Sequence, residues 1–150
     1  MSEANTANTS VLLPAASVAI FTRDKETVEA TRDLDNDWRF TRVQIAIEEG
    51  DIGTAIDAYQ NLASPDLVVV QTDTIESEFT DRLEGLAGAC SEGTSAIVIG
   101  PVNDVYLYRK MIGMGVSDYL VRPIKTEIFG EVIAKSLLER IGAGGSHLLA

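Results

Sequence analysis

Two guanidinium groups, one amide and two carboxylates stand at the ends of short apolar runs in this 150-residue chain. Thr22-Arg23-Asp24 follows Ser17-Val-Ala-Ile-Phe21, and Gln71-Thr72-Asp73 closes the run that begins at Pro65. Gly100 follows Ala96-Ile-Val-Ile99, and Arg122 follows Asp118-Tyr-Leu-Val121. The fork of a guanidinium matches an oxyanion, so one chemistry open to this group is capture of a small anion or nucleotide at Arg23, Gly100 and Arg122. A hard divalent cation needs carboxylate oxygens instead, and a neutral amide beside an arginine offers none. Two permanent cations converging on one pocket also predict internal pairing of Asp24 or Asp73 with Arg122 or Arg23. No Ser/His/Asp set and no paired-carboxylate constellation stands out, so no catalytic residue, metal or cofactor is expected.

For these ends to meet, the runs must be strands of one sheet. Ser17–Phe21, Phe40–Ile47, Asp66–Gln71, Ala96–Ile99 and Asp118–Val121 read as five strands. Between and after them lie helical patterns. Lys25–Asp37 is weakly amphipathic, with Val28 and Leu34 as its apolar points. Asp51 can cap a helix through Asn61 that carries Ile52, Ala55, Ile56 and Tyr59 at helical spacing. Residues Ile75–Cys90 place Phe79, Leu83, Leu86, Ala87 and Cys90 on one stripe. Asn103 can cap a helix from Asp104 to Ile112 with Leu107, Tyr108, Met111 and Ile112 inward, ended by Gly113 and Gly115. A last helix starts at Thr126, turns Ile128, Phe129, Val132, Ile133 and Leu137 to one face, and ends near Ile141. Strict alternation of strand and helix requires right-handed crossovers and a parallel sheet covered on both faces. The expected class is therefore α/β, a flavodoxin-like five-stranded parallel sheet in the order 2-1-3-4-5. Its ligand crevice lies beyond the carboxyl ends of strands 1 and 3.

The segment Gly115-Val-Ser-Asp-Tyr-Leu-Val-Arg-Pro-Ile124, with Pro65-Asp-Leu-Val-Val-Val-Gln71, resembles the fifth and third strands of CheY-like response-regulator receiver domains. The resemblance extends over about Ser17 to Ile141. In such proteins an acid pair after strand 1 and an aspartate after strand 3 hold Mg²⁺, and the latter accepts a phosphoryl group. A Ser/Thr after strand 4 and a Lys after strand 5 stabilise it. The resemblance puts Thr22 and Arg23 at the acid pair, Gln71 at the acceptor, Gly100 at the Ser/Thr and Arg122 at the Lys. Gln71 cannot form an acyl phosphate, and without a metal the transferring group loses its main electrostatic stabiliser. The expectation is a degenerate pocket, a pseudo-receiver with no enzymatic activity. The alternative is a working phosphorelay receiver whose acceptor is shifted to Asp24 or Asp73. Tyr119 falls where the family carries an aromatic switch; with no phosphoryl signal it reads as a partly buried strand aromatic with a wet hydroxyl.

A domain without reaction chemistry must act through its surfaces. In receivers the face of helix 4, strand 5 and helix 5 mediates dimers and partner contacts. Tyr106, Arg109, Lys110 and Tyr119 are the candidate anchors here, since aromatics and arginine are enriched in interface cores. Gly142-Ala-Gly-Gly145 lacks the Lys-Ser/Thr of a phosphate loop and reads as a hinge, with His147 in the linker. The expected organisation is a mobile leader over residues 1–16, a domain over 17–141, and a linker over 142–150 leading to a further domain. The degenerate pocket and trailing hinge together resemble the N-terminal receivers of pilus-assembly proteins of the CpaE/TadZ type, where an ATPase-like domain follows. That resemblance implies other pilus or secretion assembly proteins as partners and recruitment to a cell pole.

The net charge is −11, and no basic stripe accompanies it. Nucleic-acid binding, which depends on releasing counterions from phosphates, is excluded from the expectations. Direct membrane insertion is excluded with it, because no apolar run approaches the ~20 residues that span a bilayer. The N-terminus lacks the basic start and apolar core of a secretion signal. A lone cysteine, Cys90, fits a reducing cytoplasm and reads as an inert thiol on a helix stripe. The acidic clusters Glu48-Glu49 and Asp33/Asp35/Asp37 read as solvated faces.

Overall fold

A computed structural model describes residues 10–149, with side chains described as far as Arg140. Five strands alternate with five α-helices: β1 Ala16–Thr22, α1 Lys25–Arg32, β2 Val43–Glu49, α2 Ile52–Tyr59, β3 Leu67–Gln71, α3 Ser77–Ala89, β4 Ser95–Gly100, α4 Val105–Gly113, β5 Asp118–Val121 and α5 Thr126–Leu149. All strand pairs are parallel, in the order β2-β1-β3-β4-β5. The α/β class and strand order expected from the alternation are those of the structure.

The period of two along each strand sorts the core into two layers. Val18, Ile20, Leu67, Val69, Ile97 and Ile99 point to one face, where Leu34, Phe40, Phe129, Ile133 and Leu137 cover them. Ala19, Phe21, Val68, Val70 and Val98 point to the other, under Ile52, Ala55, Phe79, Leu83, Leu86 and Met111. Each fully buried aliphatic side chain contributes about 1.5–3 kcal/mol. β3 is buried along its whole length, which is why its sequence is a continuous apolar run rather than an alternating one. β2, at the sheet edge, alternates between half-buried and exposed residues.

Several boundaries differ from the sequence expectation. The first helix stops at Arg32, and Asp33–Asn36 and Trp38–Phe40 form two short 3₁₀ turns before β2. Asp37 is not on a solvated face: its carboxylate meets the Arg39 guanidinium at 2.7 Å, and Arg39 also reaches Glu131 on α5 at 3.0 Å. Asp104, rather than Asn103, caps α4, accepting from the N–H groups of Tyr106 and Leu107. Gly115 follows at φ +97°, a backbone region that favours glycine. Of the residues expected to face inward on α4, only Met111 is buried and Leu107 partly so, while Tyr108 and Ile112 are exposed. The helix is apolar around most of its circumference, so periodicity alone does not fix its rotation.

At the amino end, residues 1–9 of the expected leader lie outside the described residues. Leu13 is fully buried in the first core layer and donates its N–H to the Arg39 carbonyl at 2.9 Å, so the chain docks before β1 begins. At the carboxyl end, α5 continues to Leu149, past the hinge expected after Ile141. Glycine lowers helix stability by about 1 kcal/mol per residue without forbidding a helix, and no proline interrupts this one. The side chain of His147 lies outside the described residues.

Candidate functional site

The carboxyl ends of β1 and β3 lie side by side, with Phe21 opposite Val70 in the ladder. Thr22 and Gln71 are the next residues on each strand. Each is held in the sheet by its backbone and turned toward its neighbour, and the result is a closed polar cluster. Gln71 is only 8% exposed. Its Oε1 accepts from Thr22 Oγ1 at 2.7 Å and from Thr27 Oγ1, on the first turn of α1, at 2.6 Å. Both lone pairs of the amide oxygen are thereby taken. Its Nε2 donates to Asp24 Oδ2 at 3.0 Å. The opposite amide orientation would set oxygen against carboxylate, so the network fixes which way Gln71 points.

Asp24 has a second task. Its Oδ1 accepts from the Glu26 N–H at 3.0 Å and caps α1, while its own N–H donates to Thr22 Oγ1 at 3.0 Å. The Gln71 hydrogen bond, the largest influence, holds the Asp24 carboxyl below its ordinary range against the opposing effect of burial; the cap and a more distant Arg122 charge act in the same direction. No buried side-chain nitrogen or oxygen among the described residues lacks a partner.

The expected pairing of Asp24 or Asp73 with Arg122 or Arg23 is met by one pair. Arg122 Nη1 meets Asp73 Oδ1 at 2.7 Å. Asp24 meets the amide instead of a guanidinium, and Arg23 pairs with Asp51 at 3.3 Å. Asp51 also caps α2 through Gly53 and Thr54, in a reciprocal box with the Thr54 hydroxyl. Burial tends to raise its carboxyl, yet the net position is below the ordinary value, drawn down by the cap bonds and by Arg23. These residues line a cleft of about 520 Å³ that also includes Arg82, Glu76 and Glu78. Arg82 lies 3.7 Å from Glu78. Thr27 and Asp51 are the participants that the sequence reading missed. Thr27 could have been found from its place three residues after the cap Asp24; Asp51 was recognised as a cap, with nothing in the chain linking it to Arg23.

A resident Mg²⁺, as in working receivers, does not fit this donor set. The carboxylates nearest the strand tips are Asp24, committed to Gln71 and a helix cap, and Asp51 and Asp73, each facing a guanidinium. Among the described residues no group of three or more His, Cys, Asp or Glu could hold a metal ion. The small-anion reading at Arg23, Gly100 and Arg122 meets a similar obstacle. Both arginines face carboxylates, and the open side of Gly100 is filled by Tyr119.

Tyr119 departs from its expected setting. It is 6% exposed, and its hydroxyl donates to the Val102 carbonyl at 2.8 Å instead of facing water. Burial raises its phenol above the ordinary value. It therefore leaves the candidate interaction face, while Tyr106, Arg109 and Lys110 on α4 are all exposed. Around them α4 exposes Val105, Tyr108 and Ile112, with Val102 before the helix and Met114 after it. Cys90 is half-buried, and burial raises its thiol. Among the described residues no helix is long and apolar enough to cross a membrane.

No protein-family model and no curated protein matches this sequence. Solved structures do. A CpaE2 pilus assembly protein from Sinorhizobium meliloti is 38% identical, with 80% of this chain and 98% of that one covered at a TM-score of 0.78. The pilus assembly protein CpaE from Caulobacter crescentus is 30% identical, covering 85% and 96% at 0.77. A CheY-like response-regulator receiver domain from Methanospirillum hungatei, 16% identical, covers 87% and 99% at 0.67 and shares the fold.

Proposed function

This chain belongs to the CpaE family of pilus assembly proteins and carries its receiver-like domain, and we propose that it works as a pseudo-receiver, binding partners without phosphoryl transfer. The observation that carries the reading is Gln71. It occupies the β3 tip, where an acceptor carboxylate would stand, and spends its amide on Thr22, Thr27 and Asp24. An amide is not a nucleophile toward phosphorus. The two nearest candidates for a shifted acceptor are both engaged, Asp24 with Gln71 and Asp73 with Arg122. The role left to the domain is contact: self-association, and recruitment of other pilus-assembly components, in the cytoplasm and at a cell pole.

The surface proposed for that contact is α4 with its flanks. On this nine-residue helix Val105 (63% exposed), Arg109 and Ile112 follow one another at helical spacing, with Tyr106 (83% exposed) beside them. An apolar strip with an aromatic and a guanidinium has the composition of an interface core. Ile128, on the first turn of α5, adds to the exposed apolar surface. A homodimer through α4, β5 and α5 is the proposed assembly, and it needs to bury about 800 Å² per protomer.

Two measurements test this. Acetyl phosphate with Mg²⁺, followed by intact mass, is expected to leave the protein without a phosphoryl adduct, and beryllofluoride with Mg²⁺ is expected to leave the amide spectrum unchanged. An adduct mapped to Asp24 or Asp73 would establish the phosphorelay reading in its place. Sedimentation is expected to show a dimer at high micromolar concentration; a monomer there removes the self-association part.

A further inference from the structure

We infer that the free edge of β2 is a second contact surface, on which a second copy of this chain pairs antiparallel about a two-fold axis at Ala46. The pairing goes beyond the pseudo-receiver reading. It does not rest on the α4 surface, which belongs to the β5 side of the sheet.

The two edges of the sheet are built differently. β5 is four residues long and gives way to Arg122-Pro123, where proline lacks a backbone donor. Shortness and proline are common means of keeping an edge from pairing. β2 has neither. It runs for seven residues without proline or lysine, and it pairs with β1 without a bulge from Val43 to Glu49. Two bonds just beyond its ends assign the direction of its backbone. The Arg42 carbonyl accepts from the Ala16 N–H, and the Gly50 N–H donates to the Thr22 carbonyl. Backbone groups alternate in direction along a strand, so those of Gln44, Ala46 and Glu48 also turn toward β1. Those of Val43, Ile45, Ile47 and Glu49 point away from the sheet, where no strand among the described residues meets them.

The side chains select the occupant and its direction. Arg42 precedes the strand, and Glu48 and Glu49 close it. All three are exposed, and none forms a salt bridge among the described residues. A parallel copy in register would set acid against acid and arginine against arginine, which is unfavourable. An antiparallel copy reverses the order. With the axis at Ala46 the whole of Val43–Glu49 overlaps. Gln44 then faces Glu48 of the second copy, Ile45 faces its Ile47, and Arg42 lies diagonal to its Glu48 on the same face, within reach of long side chains. The outward residues meet one another in pairs, as antiparallel hydrogen bonding requires. Ile45 and Ile47 are half-buried, so their uncovered parts gain a cross-strand partner. Ala46, exposed and small, stands opposite itself at the axis.

The test uses the full chain carrying Ile112→Glu, which breaks the α4 surface, and Cys90→Ser, which leaves no native thiol. Under mild oxidation Ala46→Cys is expected to form a disulfide between two copies, because the paired Cα atoms would lie about 4.5 Å apart, inside the range that a disulfide spans. Gln44→Cys alone is expected not to cross-link, whereas a mixture of Gln44→Cys and Glu48→Cys chains is expected to do so. Amide exchange gives an independent reading in Ile112→Glu without added cysteine. Protection at Ile45 and Ile47 should rise about tenfold between micromolar and millimolar chain, while Ala46, bonded to β1, stays protected throughout. Arg42→Glu should remove most of that rise, and Arg42→Glu with Glu48→Arg should restore it. Equal cross-linking of Ala46→Cys and Gln44→Cys, exchange at Ile45 and Ile47 that ignores concentration, or no rescue by the exchanged charges would overturn the pairing. Full protection of those two amides already at micromolar chain would show an edge covered within one copy, and would overturn it as well.

Discussion

The cleft at the tips of β1 and β3 and the outer surface of α4 use polar and apolar groups in opposite ways. At the cleft, side chains of the kind that do chemistry are consumed by one another: Gln71 with Thr22, Thr27 and Asp24, Arg122 with Asp73, Arg23 with Asp51. On α4, apolar side chains that would ordinarily form a core stand in water, Val105, Tyr106 and Ile112 among them. A buried polar group is stable only when paired, whereas an exposed apolar group gains free energy only when something covers it. The first region is complete in the single chain. The second leaves apolar surface uncovered in the single chain, and that asymmetry separates the part of this molecule that holds itself together from the part proposed for contact.

The sharpest way to break the comparison is to remove the centre of the closed cluster. Gln71→Leu removes the acceptor of the Thr22 hydroxyl, leaves the Thr27 hydroxyl only Asp24 Oδ2 at 3.2 Å, and takes one donor from the Asp24 carboxylate. Urea unfolding should report a loss of about 3 kcal/mol, the cost of leaving buried polar groups unpaired. Adding Thr22→Val should recover part of it, because the one hydroxyl left without an acceptor goes too; no recovery would mean that the cluster is not what supports this end of the sheet.

Next in size is the opposite experiment on α4. Ile112→Glu is expected to weaken self-association at least tenfold in sedimentation, about 1.4 kcal/mol. The unfolding free energy of the protomer should stay within about 0.5 kcal/mol, as for other surface changes. A larger loss of protomer stability would place Ile112 in the core after all.

A smaller effect comes with pH. Asp24 and Asp37 are both held below the ordinary carboxylate range, Asp24 chiefly by Gln71 and Asp37 chiefly by Arg39. The folded protein therefore binds fewer protons than the unfolded chain as pH falls through about 4. The stability these groups contribute is present above that range and lost as pH drops through their lower folded values. Unfolding measured at pH 5, 4 and 3 should fall steadily, and Asp24→Asn should flatten the slope. The smallest expected change is Arg23→Ala. Its partner Asp51 is exposed with it, so the loss should stay below about 1 kcal/mol and shrink further in high salt.

Much of this fold was legible in the chain. Continuous apolar runs such as Leu67–Gln71 mark strands buried on both faces, and the spacing of Phe79, Leu83 and Leu86 marks α3, because burial imposes a period that the sequence must carry. Asp51 announced its cap in the same local way. α4 was not legible in rotation, since Leu107, Tyr108, Met111 and Ile112 satisfy the inward pattern as well as any other arc does. The site was legible in part. Gln71 and the two arginines foretold a pocket poor in free carboxylate, and one of the acid–arginine pairs they offered, Asp73 with Arg122, forms; that Asp24 meets Gln71 and Arg23 meets Asp51 was not legible, because those pairings join segments tens of residues apart.

By itself, then, the sequence determined the alternation of strand and helix, the parallel sheet, and an amide at the end of the third strand, all consequences of residue type and local period. Only the tertiary structure decided that Gln71 closes on Thr22, Thr27 and Asp24, that Tyr119 turns inward over Gly100 to reach Val102, and that α4 buries Met111 while leaving its other apolar side chains outside. Those choices depend on distances between elements and on the space left by a missing Cβ, quantities set by packing and absent from any linear pattern.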